Sequence, residues 1–183
     1  DYDLVLITNR LLWEDLEKLS RQSRLIYICA DERFGHSEEW THTLATFNHE
    51  IVLSHRLFQL VANDLIRKDV LSFDRLSHLD ITINVLNILP PEKDLLTNVV
   101  LDLGIPLALD LHATQIDLFG CTFDYSLSNN NMEPEYFTNY ESHGATFDHT
   151  VKSAIEWSQQ SIKKFSKLTQ FLRSYGISLR NLS

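Results

Sequence analysis

Residues 25–30 read Leu-Ile-Tyr-Ile-Cys-Ala, and this uninterrupted apolar run decides the fold. The run is too short for an independent helix, and its branched and aromatic side chains suit a pleated strand. Apolar residues at successive positions, without alternation, describe a strand covered on both faces, as in a parallel sheet with helices on either side. Residues 4–8 (Leu-Val-Leu-Ile-Thr) repeat the signal upstream, residues 50–54 give a third short strand, and residues 81–86 a fourth. Helical segments alternate with them: 13–21, rich in Leu, Glu and Lys; 36–47, with a weaker pattern; and 55–68, amphipathic through Leu57, Leu60, Val61 and Leu65.

The alternation continues past Pro90 and Pro91. Residues 95–111 predict a helix with Leu96, Val99, Val100, Leu103, Leu107 and Leu111 on one stripe. Pro106 should kink it, because proline lacks the amide that would bond the carbonyl of Asp102. Residues 114–119 predict a strand ending at Gly120, and residues 148–175 the longest helix, with Val151, Ala154, Ile155, Ile162, Phe165, Leu168, Leu172 and Tyr175 at helical spacing. Gly176 suits a left-handed cap, and residues 177–179 a last strand. Strand and helix in alternation predict βαβ units, hence a mostly parallel sheet flanked by helices. A length of 183 residues fits a single domain over 1–183. Chemistry in such folds gathers beyond the carboxyl ends of the strands. Those positions are Asn9 and Arg10, residues 31–33, His55 and Arg56, and residues 121–125.

Composition narrows the function. Hydrophobic residues make up 44% and charged residues 22%, values of an ordinary folded chain. The formal net charge of -9 repels a polyanion, so no nucleic-acid partner is expected, although a small anion can still be held locally by helix N-termini. The five glycines, Gly35, Gly104, Gly120, Gly144 and Gly176, form neither a dinucleotide fingerprint nor a Walker phosphate loop. Cys29 and Cys121 form no C-x-x-C motif, and two cysteines in such a length suit a reduced, cytoplasmic protein. No apolar stretch reaches the roughly 20 residues of a membrane span. His36, Glu38, Glu39, His42, His49 and Glu50 include metal-ligand types, yet no H-E-x-x-H occurs, and a solvated helix face accounts for them, so no metal site is assigned.

Residues 120–149 are the richest in chemistry. They follow a buried strand yet collect Thr122, Asp124, Tyr125, Tyr136, Tyr140, Glu141, His143, Asp148 and His149. Tyrosine hydroxyls donate to phosphate oxygens without adding charge, and a histidine accepts a proton near neutral pH. The set fits displacement of a phosphate leaving group, while an exposed polar connection is the plainer reading of each member alone. His149 stands at the start of the long helix behind Asp148, an N-cap type, where the positive helix end favours the neutral imidazole. It reads either as a general base or as a first-turn surface histidine, and His143 beside Gly144 is its rival. Asn9 ends the first strand, where its amide suits a nucleotide or caps the next helix. Thr97 and Asn98 open a helix and offer donors to an anion.

These segments resemble a known family. Residues 1–15, DYDLVLITNRLLWED, are similar to the second strand and following helix of bacterial sialyltransferases with a single Rossmann-like domain. Residues 97–125, TNVVLDLGIPLALDLHATQIDLFGCTFDY, resemble their later helix, strand and G-x-D-F-x-Y turn. PEYF at 134–137, FDHTVKSAIEW at 147–157 and YGISLRNLS at 175–183 resemble the remaining loop, long helix and last strand. The same outline occurs in motility-associated glycosyltransferases and in MptE-like pterin pyrophosphokinases. The chain departs from it in lacking the family's opening glycine-rich G-x-G-P-S strand, in Thr122 where the family has aspartate, and in a Ser/Thr-Gly turn without its glycine. It is therefore expected to be N-terminally incomplete or a divergent member.

The resemblance implies a Rossmann-like fold and transfer of a sugar from a cytidine-monophosphate-activated donor to a glycan acceptor. Asn9 matches an asparagine that contacts the cytidine nucleotide, with Thr97, Asn98 and Thr122 near it. Tyr125 matches a tyrosine that steadies the leaving phosphate, and Tyr136 or Tyr140 supplies a second. His149 is the implied general base, with His143 next. No cofactor is then required. The alternative, ATP-dependent pyrophosphoryl transfer to a pterin, needs Mg²⁺, for which Asp124 and Glu141 are the carboxylates. A third reading is a non-catalytic nucleotide- or glycan-binding domain. Peripheral membrane contact and homo-oligomerisation are compatible with all three.

Overall fold

The computed structural model describes residues 2–8, 21, 23–62, 70–72, 98–121, 123 and 151–182. These residues form an α/β structure in which every strand pairing is parallel. They fall into two compact units, one within residues 2–72 and one within 98–182. Most of the expected helix at 13–21, the end of that at 55–68, the expected strand at 81–86, and positions 95–97 and 148–150 lie outside the described residues.

In the first unit, β1 (Leu4–Thr8), β2 (Arg24–Cys29), β3 (Glu50–Leu53) and β4 (Val70–Ser72) form one sheet in that order. Their register sets Ile7, Tyr27, Ile51 and Val70 in a row across the strands, with Cys29 beside Leu53. Because side chains alternate faces, this row makes one side of the sheet. Phe34, Trp40, Leu44, Leu57 and Val61 pack with it into the core. Ile26, Ile28 and Val52 are buried as well, so β2 and β3 are covered on both sides as their sequences predict. β1 departs from expectation: only Ile7 is buried, β1 being an edge of this sheet among the described residues. β4 is a strand that periodicity does not reveal, since three residues carry no pattern.

Serines start the two described α-helices of this unit. Ser37 accepts the Trp40 amide at 3.2 Å to cap α1 (Glu38–Thr46), and acidic Glu38 and Glu39 occupy the positive first turn. Ser54 accepts the Leu57 amide at 3.4 Å to cap α2 (His55–Val61), while its own amide bonds the carbonyl of Cys29 at 2.9 Å. The start of α2 is thereby tied to the end of β2.

The second unit holds β5 (Gln115–Leu118) and β6 (Ser178–Asn181), with Ile116 beside Leu179. A helical stretch precedes β5. Its first part, Val100–Gly104, is a π-turn in which the Ile105 amide bonds the carbonyl of Val100, and its second, α3, is Ile105–Asp110 with Pro106 in the first turn. The expected disturbance at Pro106 therefore takes the form of a widened turn before the ring, which relieves the clash proline makes with a carbonyl one turn back. The expected single stripe is corrected too. Residues 101–109 are all buried, whereas Val99, Val100 and Leu111 are only half-buried, so this stretch is enclosed on every side.

The long helix α4 (Val151–Ser174) buries Ser158, Ser161, Leu168 and Leu172. Ile162, expected on the buried stripe, is 52% exposed because it lies about a quarter turn from Leu172 at 3.6 residues per turn. Tyr175 is exposed as well. The helix ends as expected: Gly176 adopts φ +74°, its amide bonds Arg173 and the Ile177 amide bonds Leu172, a Schellman closure.

Candidate functional site

Of the site residues named from the sequence, Asn98 lies among the described residues. Asn9, Thr97, Thr122, Tyr125, Tyr136, Tyr140, His143 and His149 lie outside them, as do Asp124 and Glu141.

Asn98 opens the helical stretch of the second unit, as its residue type suggests. Its Oδ1 accepts the amides of Val100 at 3.0 Å and Leu101 at 3.1 Å, satisfying two donors that a helix start leaves over. Its own amide donates to Asp102 Oδ2 at 2.9 Å. The donors at 98, 100 and 101 are thus bonded within the turn itself. Asn98 is 8% exposed, and Asp102 beside it is 5% exposed. Lys164 of α4 brings its ammonium to 3.2 Å from Asp102 Oδ1 and 3.4 Å from Oδ2. Sequence reasoning passed over this pair. Asp102 carries a signal, a carboxylate in the apolar run 99–109, whereas nothing local to Lys164 points to a partner 62 positions earlier.

The turn after β5 is the second described part of the region. Gly120 and Phe123 hold left-handed backbone at φ +67° and +52°. Glycine does so without cost. A phenylalanine there is strained, and such outliers persist only where surrounding contacts fix them. Two contacts do so. The Phe123 ring is buried against Phe165 of α4, centroids 5.5 Å apart, and Asn181 at the end of β6 donates its amide to the Cys121 carbonyl at 2.7 Å. The Cys121 thiol bonds the Phe119 carbonyl at 3.4 Å, and burial pushes its pKa up. Asn181 is a further residue that the sequence did not single out.

Among the described residues, the strand ends of the first unit carry no comparable arrangement. His55, at the start of α2, bonds Gln59 one turn on at 2.8 Å. Burial pushes the Cys29 thiol, at the end of β2, up to about 12. Both cysteines are free thiols. Of the metal-ligand types noted in the sequence, Glu50 is paired with Arg24, a contact that holds its carboxyl below the usual carboxylate range, and His49 lies edge-on to Phe47. Among the described residues, no three His, Cys, Asp or Glu side chains are grouped to hold a metal ion. No helix of the described residues is long and apolar enough to cross a membrane.

What the geometry defines is a class, an α/β protein with parallel strands and a strained turn at the carboxyl end of one of them. No protein-family model, curated protein or solved structure matches the chain.

Proposed function

We propose that the chain is a sialyltransferase-like glycosyltransferase on a Rossmann-like scaffold, moving a sugar from a cytidine-monophosphate-activated donor to a glycan acceptor. The observation that carries this reading is the turn after β5. It stands beyond the carboxyl end of a parallel strand, where α/β proteins place their ligands, and it stores backbone strain at Phe123 within the sequence GCTFDY, which resembles the family's G-x-D-F-x-Y turn. In this reading His149 takes the proton of the acceptor hydroxyl as its oxygen attacks the anomeric carbon. Tyr125 and a second tyrosine, Tyr136 or Tyr140, donate hydrogen bonds to the departing phosphate. The resemblance assigns the nucleotide to Asn9, Thr97, Asn98 and Thr122, Asn98 keeping its backbone amide and side-chain oxygen bonded within its own turn, and His143 is the alternative base.

Thermal unfolding of the chain with cytidine monophosphate, its sialic acid conjugate, uridine-diphosphate sugars, and ATP with Mg²⁺ tests the reading. A ligand at 100 times its Kd stabilises a fold by about 2.7 kcal/mol, an easily read shift. The cytidine compounds are expected to raise the Tm and the others to leave it unchanged. A response confined to ATP with Mg²⁺ would replace this reading with the pyrophosphokinase. No response to any nucleotide at millimolar concentration would leave a domain that does not bind them.

A further inference from the structure

We infer that the outward face of α4 is a docking surface for an anionic lipid bilayer. The chain is acidic as a whole, yet its charge is unevenly placed. Residues 151–183 hold six Lys and Arg and a single acid, Glu156, a formal +5, whereas residues 1–150 hold 10 Lys and Arg against 24 Asp and Glu, a formal -14. Asymmetry on this scale marks a segment suited to an anionic surface. The structure gathers part of that charge on one face. Lys163, Lys167 and Arg173 are all exposed, and none of them makes an ion pair among the described residues. At 3.6 residues per turn, Lys163 and Lys167 lie in one row along the helix, and Ile162 and Arg173, about three full turns apart, lie in the row beside it. The opposite side of α4 is the buried one, through Ser161, Leu168 and Leu172.

Helix stability does not call for this arrangement. A cation in the last turn complements the helix dipole, which accounts for Arg173, but the effect fades within that turn, and Lys163 and Lys167 lie earlier. Four positions apart, these two repel each other across one turn, which disfavours the helix. Ile162, 52% exposed, adds an apolar side chain to the same face, and Tyr175, exposed to the same extent, follows the end of α4. A bilayer surface rewards the mixture, since cations are drawn to acidic headgroups while an isoleucine enters the apolar boundary below them. A nucleic acid rewards the cations alone. At physiological salt a charge is felt over about 8 Å, so the encounter is set by this local face and not by the net charge of the chain.

The test sediments the whole chain with vesicles of phosphatidylcholine alone and of equimolar phosphatidylcholine and phosphatidylglycerol, with a short duplex DNA titrated in parallel. Binding is expected only to the vesicles that contain phosphatidylglycerol, and it should be lost near 1 M salt, where the screening length falls to about 3 Å. The triple variant Lys163→Gln/Lys167→Gln/Arg173→Gln is expected to weaken binding about a hundredfold, at about fivefold for each cation held near an acidic membrane. Ile162→Gln should weaken it about fivefold, the worth of burying half an isoleucine side chain. A charge-matched control, Lys18→Gln/Lys68→Gln/Lys93→Gln, should keep binding within about threefold of the wild type, because it alters the net charge equally and leaves this face intact. The substituted positions of α4 are exposed and glutamine is a good helix former, so the triple variant is expected to fold; if it does not, the single variants replace it at about fivefold each. No binding to the acidic vesicles, binding untouched by the α4 variants, an equal loss in the control, or binding to DNA in place of vesicles overturns the inference.

Discussion

Trp40 donates its indole N–H to the Tyr27 hydroxyl over 3.1 Å, and both side chains are 0% exposed. The bond joins α1 to the centre of the sheet. It also shows how the first unit buries an aromatic pair without leaving polar atoms unpaired. Tyr27→Phe keeps the ring and strands the indole donor, so it should cost about 1–3 kcal/mol, the penalty of an unsatisfied buried group. Urea unfolding measures it, and a loss below 0.5 kcal/mol, a threshold set well under that range, would mean the indole finds another acceptor.

Across β5 and β6, Arg180 makes a two-pronged bond to Asp117 at 2.7 and 2.6 Å, and the Asp117 side chain is 1% exposed. Arg180→Ala removes the two-pronged bond to a covered carboxylate, which keeps its bond from the Gln115 side-chain amide. The expected cost is about 1–3 kcal/mol, at the scale of hydrogen bonds to charged groups, because the arginine itself is half in water. Arg180→Lys should recover less than half of the loss, since an ammonium cannot reproduce the planar fork.

At the end of α4, a Cβ on Gly176 would meet nothing within 4 Å, so its need for glycine is a matter of backbone alone. Gly176→Ala should therefore lower stability by about 1 kcal/mol without altering the packing, and the Tm with it. A loss several times larger would point to a contact that the open space at this position does not contain.

The two thiols predict how stability responds to alkali. Both pKa values are raised by burial, that of Cys29 to about 12 from an ordinary value near 9. Below pH 9 neither the folded nor the unfolded chain loses these protons, and stability is unaffected by them. Between pH 9 and about 12 the unfolded chain ionises while folded Cys29 does not, so stability falls as pH rises. Cys29→Ala should flatten this part of the profile, read from denaturant midpoints at successive pH values. A thiol reagent at pH 8 should modify Cys29 only under unfolding conditions.

For the proposed transferase, His149→Ala should reduce kcat by ~10²–10⁴-fold, the usual worth of a general base, with donor affinity retained. Turnover near that of the wild type would transfer the role to His143, which the corresponding substitution then checks.

Much of the fold was legible because burial writes itself into sequence. The continuous apolar runs at 4–8 and 25–30 and the shorter strand-like segments at 50–54 and 114–119 all became strands within a residue or two of their expected ends. Gly176 announced the end of α4. Legibility stopped where a residue's surroundings, not its own pattern, set the outcome. β4 exists because β3 offers an unpaired edge, and three residues could not advertise that. Ile162 lost its place on the buried stripe to Ser158 and Ser161, because packing against the rest of the unit, not the apolar pattern of α4 alone, chooses the covered face. In the candidate site, Asn98 was recognisable as a helix opener from its type, whereas Lys164 and Asn181 acquire meaning only from the partners they reach.

The amino-acid sequence by itself determined the strand and helix alternation, the α/β class and the local caps, since each follows from periodicity or from short-range hydrogen bonding. Only the tertiary structure decided that Lys164 answers Asp102 and that Asn181 and Phe165 hold the turn at Cys121 and Phe123. Those contacts join residues some 40 to 60 positions apart, and no local preference encodes a distance that exists only after the chain has closed on itself.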